Sequence, residues 1–412
     1  MAERFFAPCP RGLEPPLAAE LEALRARDVQ SVDGGVAFAG DLALAYRANL
    51  ESRIASRVLW RVDGFSCRDE RELYDRVYAI DWSRHFEPRR TLRVDVAAST
   101  RRAVPSVESP PGGRRSGAAA RVGRTQSSSP LASLEFATLR VKDAVCDRFR
   151  AERGVRPSVD KRAPDVRVHV HLREREASVY LDTSGEPLFK RGYRRDAEEA
   201  PLRENLAAGL LALAQWKPGQ PLLDPMCGSG TIAIEAALIA ADRAPGLGRT
   251  FGFQKLAWYD GPTWQRIRQA ARDRIRAAPA ASIVASDVAR AAVAHTRANL
   301  RAAQVESFVL VEEADVLTRD APAAGGLLLA NPPYGVRLAE AKALEAFYPR
   351  LGDALKRRFS GWTAGLLSGD LRLAKLIGLK AARRIPLWNG AIECRLFLFP
   401  LVAGSARGAM LK

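Results

Sequence analysis

From residue 166 to residue 173 apolar and polar side chains alternate without a break: Val166-Arg167-Val168-His169-Val170-His171-Leu172-Arg173. A period of two predicts a half-buried strand, with Val168, Val170 and Leu172 on one face and the basic residues on the other. Residues 177–181 complete a hairpin with it. The first half mixes such strands (5–7, 35–38, 58–62, 92–96) with helical patterns at 15–27, 41–57, 70–79 and 131–149. That order predicts an α+β region. The second half has a different rhythm. Five short apolar runs (222–224, 282–287, 308–311, 327–330 and 362–367) alternate with helical patterns at 232–241, 263–277, 289–303 and 340–358. Alternation of this kind predicts an α/β, Rossmann-like parallel sheet. A last hairpin pairs 381–388 with 392–399 across Asn389-Gly390, a dipeptide suited to a type I′ turn. It puts an antiparallel strand at the end of a seven-stranded sheet.

The 412 residues exceed one ordinary core, so the chain divides. The expected parts are 1–50, 51–183, a basic linker at 184–200, and 201–402. No run of 18 apolar residues suggests a membrane span, and the N-terminus lacks the pattern of a signal peptide. The five cysteines are scattered, with no C-x-x-C pair, so neither a metal site nor disulfides are expected. His169 and His171 share a strand face but lack a third ligand nearby; a solvated or RNA-facing edge is the better reading. A cytoplasmic location is expected.

The formal net charge of +17 points to polyanionic partners, nucleic acid first. Fourteen basic and six acidic residues fall between 101 and 162. Part of that stretch, 105–130, is Pro, Gly and Ser at 14 of 26 positions and reads as a mobile loop. Arg140, Lys142, Lys161, Arg162 and Arg167 are the candidate RNA contacts.

Two stretches carry chemistry. Leu222-Leu223-Asp224-Pro225-Met226-Cys227-Gly228-Ser229-Gly230-Thr231 reads as a strand ending on a carboxylate, a glycine turn, and a helix start. The glycines also match a dinucleotide-binding pattern, but Asp224 would repel a pyrophosphate. A ligand with an ammonium group suits it better. S-adenosyl-L-methionine has one, together with a ribose diol for Asp287 and an adenine amine for Asp315. The second stretch, Asn331-Pro332-Pro333-Tyr334, follows another apolar strand. The Asn331 side-chain oxygen and the Pro332 carbonyl can accept both N–H groups of an aromatic amine and aim its lone pair. The prolines stiffen the backbone, and Tyr334 can stack on an extruded base.

Asp224–Thr231 and 331–335 resemble the cofactor and catalytic motifs of class I methyltransferases. The stretches 5–14, 79–82, 136–144 and 156–161 resemble a THUMP RNA-binding domain with a ferredoxin-like part before it. Together with 200–207 and 242–247, the chain is similar to the bacterial family of large-subunit (23S) ribosomal RNA guanine-N2 methyltransferases. The resemblance implies an RNA partner, either naked RNA or an assembling large subunit, and a guanine N2 amine held by Asn331 to Tyr334. It places Asp224, Pro225, Cys227, Gly228, Ser229, Gly230, Thr231, Asp287, Asp315 and Asn331 around the cofactor. The alternatives are a tRNA guanine, an adenine N6 amine, a protein glutamine, or a non-catalytic RNA-binding role. Some members carry a second methyltransferase domain after this one; at this chain length that activity is expected to be absent.

Overall fold

A computed structural model describes residues 2–99, 133–194, 202–332, 338–370 and 372–402. Pro333, Tyr334 and the 105–130 stretch lie outside the described residues. The chain forms two compact units, one of residues 1–60, 183–254 and 260–412, the other of residues 61–182 and 255–259.

The first unit opens with β1 (Glu3–Pro8), α1 (Glu14–Ala23), β2 (Arg27–Val32), β3 (Gly35–Gly40), α2 (Leu42–Glu51) and the start of β4 (Leu59–Ser66). β3 pairs antiparallel with both β1 and β2. Two of these elements depart from the sequence expectation. The first helix stops at Ala23 instead of running to 27, and β2 takes the residues that follow. β2 is almost wholly exposed and polar, so no buried face announces it. The second helix stops at Glu51, because the N–H groups of Arg53 and Ile54 turn to the Glu20 carboxylate.

The second unit takes the rest of β4, then α3 (Glu70–Ala79), β5 (Leu92–Ser99), α4 (Leu134–Arg153), β6 (Val166–Arg173) and β7 (Glu176–Asp182). Its strands run in the order β4-β7-β6-β5, with β5 and β6 parallel. Val166, Val168, Val170 and Leu172 are buried as the alternation requires. The histidine row is not at an edge, however. β6 lies between β7 and β5, and His169 Nε2 is 3.7 Å from the buried Asp182 carboxylate. Cross-strand neighbours, invisible in a single strand's pattern, decide that.

The rest of the first unit is the predicted α/β sheet. Its elements are α5 (Glu204–Leu213), β8 (Leu222–Asp224), α6 (Thr231–Ala240), α7 (Gly261–Asp273), β9 (Ile283–Asp287), α8 (Arg290–Ala303), β10 (Val309–Glu313), β11 (Gly326–Ala330), α9 (Leu338–Arg358), β12 (Trp362–Ser368), β13 (Arg383–Asn389) and β14 (Ile392–Pro400). The strand order is β10-β9-β8-β11-β12-β14-β13, with β14 antiparallel to both neighbours. This is the class I methyltransferase arrangement. Leu223, Leu328, Leu366 and Phe397 from four strands pack with Tyr348, Leu351 and Leu355 of α9 in one core. The hairpin turn falls one residue later than expected. Asn389 pairs with Ile392, leaving Gly390 and Ala391 in the turn. Only Gly390 has a positive φ, +64°, which is the type II′ pattern rather than I′.

The excursion after α6 is also structural. Tyr46 of α2, Phe253 and Trp264 pack tilted and edge-to-face at centroid distances of 4.5 and 5.2 Å, and all three rings are buried. The basic stretch near 190 is anchored as well. Arg191 is buried against Glu235 of α6 at 3.3 Å and donates to the Leu188 carbonyl.

Candidate active site

Parallel strands end together, so their C-terminal residues line one edge of the sheet. β8 lies between β9 and β11, with Asp224 level with Ala285. Asp287 ends β9, and Asn331 follows β11 directly. The three residues therefore leave neighbouring strands at the same edge, with about 5 Å between adjacent strands. Asp315 follows β10, the next strand outward.

Asp224 is 1% exposed, and its Oδ1 has no hydrogen-bond partner among the described residues. Burial pushes its carboxyl up to about 8; the Met226 N–H opposes that rise and the Asp287 charge adds to it. A buried carboxylate left this way costs free energy that a cationic partner would recover. Asp287 is differently engaged. Its two oxygens accept from the Gly228 N–H (3.0 Å) and the Ala289 N–H (2.9 Å), which fixes the carboxylate and the turn together. Asp315 accepts from the Leu317 N–H at 2.9 Å.

The turn between them is made by chain reversal at two glycines. Gly228 and Gly230 have φ of +53° and +82°, a region that costs other residues strain. The Cys227 N–H donates to the Ser286 carbonyl, tying the turn to β9. Cys227, Ser229, Thr231 and Pro225 are buried. Burial also raises the Cys227 thiol, so this sulfur is no nucleophile. α6 begins immediately, so its first N–H groups face the turn. Asn331 is half-buried and Pro332 buried. Pro333 and Tyr334, the other two expected catalytic positions, lie outside the described residues.

Three residues that hold the turn escaped the sequence reading. Thr296 Oγ1 donates to the Gly228 carbonyl at 2.9 Å, and Asn299 Nδ2 donates to the Ser229 carbonyl at 3.0 Å. Arg194 donates to Thr231 Oγ1 at 3.0 Å. The available signal was two polar residues on the face of α8 that carries buried Val293, Leu300 and Ala303. Buried polar groups need partners, and here the partners are backbone carbonyls of the turn.

The candidate RNA contacts come from three elements of the second unit. Arg140 and Lys142 sit on α4; Arg140 lies over the Tyr74 ring at 4.4 Å, and Lys142 pairs with Asp143 at 2.6 Å. Lys161 and Arg162 are exposed in the loop before β6. Arg167 lies on β6, on the face opposite its buried valines. Among the described residues, no group of three or more His, Cys, Asp or Glu could hold a metal ion, and no helix is long and apolar enough to cross a membrane.

Comparison with known proteins agrees with this architecture. Residues 4–59 match the RlmL ferredoxin-like domain, 67–182 the THUMP domain, and 191–397 the RMKL-like methyltransferase domain. The chain is 40% identical over 417 residues to a ribosomal RNA large subunit methyltransferase K/L of Syntrophotalea carbinolica, covering 98% of this chain and 55% of that one. It is 41% identical over 413 residues to the protein of the same description from Methylococcus capsulatus, covering 97% and 52%. It thus spans about half the length of these curated relatives. Among solved structures, SMU.472, described as complexed with SAH, superposes with a TM-score of 0.83 at 28% identity, covering 97% of this chain and 98% of that one. A structure from Listeria monocytogenes, described as a predicted N6-adenine-specific DNA methylase, gives 0.81 at 26%, covering 97% of each. The methyltransferase-domain match takes in half of the chain and contains the whole β8–α6 corner, and the chain belongs to the RMKL-like methyltransferase family, with ferredoxin-like and THUMP domains preceding that domain.

Proposed function

We propose that the chain transfers a methyl group from S-adenosyl-L-methionine to the exocyclic N2 amine of a guanine in large-subunit ribosomal RNA. One observation carries the reading: a buried carboxylate, Asp224, whose Oδ1 has no partner among the described residues, and the Asn331-Pro332 pair leave adjacent strands at one edge of the sheet. Oδ1 of Asp224 would take the ligand's ammonium group. Asp287, already aligned by two N–H groups, would take the ribose diol, and Asp315 the adenine amine. Gly228, Ser229 and Gly230 would let the backbone approach, with Pro225, Cys227 and Thr231 closing the wall behind. The cofactor, when bound, supplies an electrophilic methyl group on a sulfonium.

The remaining work falls to this chain's acceptors. An aromatic amine is a weak nucleophile because its lone pair is delocalised into the ring. The Asn331 side-chain oxygen and the Pro332 carbonyl would accept its two N–H groups, which draws the lone pair out of conjugation and aims it. Pro333 would stiffen that loop and Tyr334 would stack on the base. The amine nitrogen loses its proton after transfer, so no base is needed beforehand.

Residues 51–183 would grip the RNA through Arg140, Lys142, Lys161, Arg162 and Arg167, with 201–402 as the catalytic domain and 184–200 as the connection. The net charge of +17 supports this, as do the descriptions of the two curated relatives. A cytoplasmic location, and an assembling large subunit as the working substrate, belong to the same reading.

The test is to incubate the chain with methyl-labelled cofactor and, separately, 23S transcripts, ribosomal precursor particles, total tRNA and DNA. The expected product is N2-methylguanine in the large-subunit RNA, identified by mass mapping. Label confined to tRNA, or appearing as N6-methyladenine, would reassign the substrate. No transfer to any of them would remove the activity.

A further inference from the structure

Far along the same unit, four separate pieces of chain meet around a cavity of about 220 Å³. Its lining includes Cys9, Arg11, Ser56, Arg203, Leu206 and Trp388. The junction is tightly built. The Trp388 N–H donates to the Arg11 carbonyl, and a Cβ on Gly12, at φ +89°, would sit 2.4 Å from the Pro386 carbonyl. A Cβ on Gly209 would meet Leu13 at 2.4 Å, so α5 closes against the N-terminal turn as well. The floor is apolar, from Leu206 and Cys9, both buried. The rim is basic and exposed.

Both rim guanidiniums lie over aromatic rings. Arg11 lies 5.1 Å over Trp388, and Arg203 lies 5.0 Å over Phe189. A ring beneath a guanidinium restrains it and leaves N–H groups for an anion, and the arginine fork suits a phosphate. Arg11 also pairs with Asp33 at 3.0 Å, but both side chains are largely exposed, and such pairs exchange readily.

Position completes the case. Ala330 is level with Leu366, Leu366 with Phe397, and Phe397 with Arg384. β13 runs parallel to β11, so Asn389 at the cavity lies beyond the same sheet edge that carries Asn331. Three strand spacings across and four residues along give a separation of roughly 20 Å. The cavity is smaller than the roughly 300–1,000 Å³ sites that bury drug-sized ligands. Its size suits one planar ring.

We propose that this cavity is a second RNA contact, in which Arg11 and Arg203 take a phosphate roughly 20 Å from the target guanine, beyond its immediate neighbours, and the space between Leu206 and Trp388 takes that nucleotide's base. The proposal rests on the RNA reading above and adds a site to it. It is tested on the full chain with a transcript carrying the target, with affinities measured across a salt series. Arg203→Glu is expected to weaken RNA binding about tenfold and lower the salt slope by about one. Affinity for S-adenosylmethionine should not change, and Arg203→Lys should recover part of the loss. On RNA trimmed to the target's immediate neighbours, wild type and Arg203→Glu should bind alike. Equal affinities on the long RNA would overturn the proposal. So would a loss that persists on the trimmed RNA, which marks a merely structural effect. Should Arg203→Glu not fold, Arg11→Gln decides by the same comparison. A wild-type chain that binds no RNA at any salt would instead defeat the functional reading and this site together.

Discussion

Thr296 occupies the space that a side chain on Gly230 would need. A Cβ there would lie 2.7 Å from Thr296 Cγ2 and 2.9 Å from Oγ1. The same threonine hydroxyl supports the Gly228 carbonyl. Gly230→Ala therefore meets two penalties at once, a left-handed backbone and a fixed neighbour. We expect a loss of about 2–4 kcal/mol in denaturant unfolding. Cofactor affinity should fall with it, because the turn is the proposed contact surface. Thr296→Ala in the same background should recover the overlap part and not the backbone part. Full recovery by the double change would mean that the φ of +82° carries no cost.

The Asp224 carboxyl gives a stability signature in the absence of ligand. Its folded value, about 8, stands above the ordinary 3.8. The folded chain thus holds a proton that the unfolded chain releases, and stability falls as pH rises from about 4 to about 8. Asp224→Asn keeps the shape without the charge. Its melting temperature should match wild type near pH 4 and exceed it increasingly up to pH 8, then by a constant amount. Parallel curves across that range would show that Asp224 is not forced to ionise in a dry site.

The same group sets the pH course of binding. An ammonium ligand favours the ionised carboxylate, so binding below pH 8 releases a proton, and affinity should rise about tenfold per pH unit from 6 towards 8. Above that the ligand's own α-amino group, with an ordinary value near roughly 8, loses its charge. Calorimetric titrations in two buffers of different ionisation enthalpy would measure the released proton. A flat profile from pH 6 to 9 would place the ammonium elsewhere.

The unequal legibility of this site has a physical cause. Asp224, Gly228, Gly230 and Asn331 were readable because strand, turn and helix follow one another in sequence, so local order places them. Their meeting at one edge follows from parallel strands. Thr296, Asn299 and Arg194 act only through tertiary contacts with backbone carbonyls or a hydroxyl 30 or more positions away, and no local pattern encodes them. β2 escaped because it buries almost nothing, and the interior place of β6 because its neighbours come from elsewhere in the chain. The ion pair under α6 escaped for the same reason: Arg191 reads as one more basic residue in a basic run.

That pair sets up a stability test away from the ligand. Arg191 and Glu235 are 7% and 0% exposed, 3.3 Å apart, and Tyr193 is buried beside them. Glu235→Gln leaves the guanidinium buried without its countercharge, which typically costs about 3–5 kcal/mol. Replacing both partners, Arg191→Met with Glu235→Leu, should cost much less, since well-packed apolar pairs substitute for buried ions. Denaturant unfolding of the two single variants and the double variant measures the coupling. A double variant as unstable as the sum of the singles would mean that the charges act independently, and that α6 is held by packing alone.

Asn331 separates chemistry from binding. Its side chain would touch the amine of the acceptor base, so Asn331→Ala should lower turnover at saturating RNA by at least about a hundredfold. Cofactor affinity, which the proposed site assigns to Asp224 and the glycine turn, should hold within about a factor of three. RNA affinity should hold as well, since one neutral contact adds little to a phosphate-dominated interface. Single-turnover rates together with separate equilibrium titrations distinguish the three quantities. If turnover stays near wild type while cofactor affinity drops, Asn331 belongs to the cofactor wall and the amine has another acceptor.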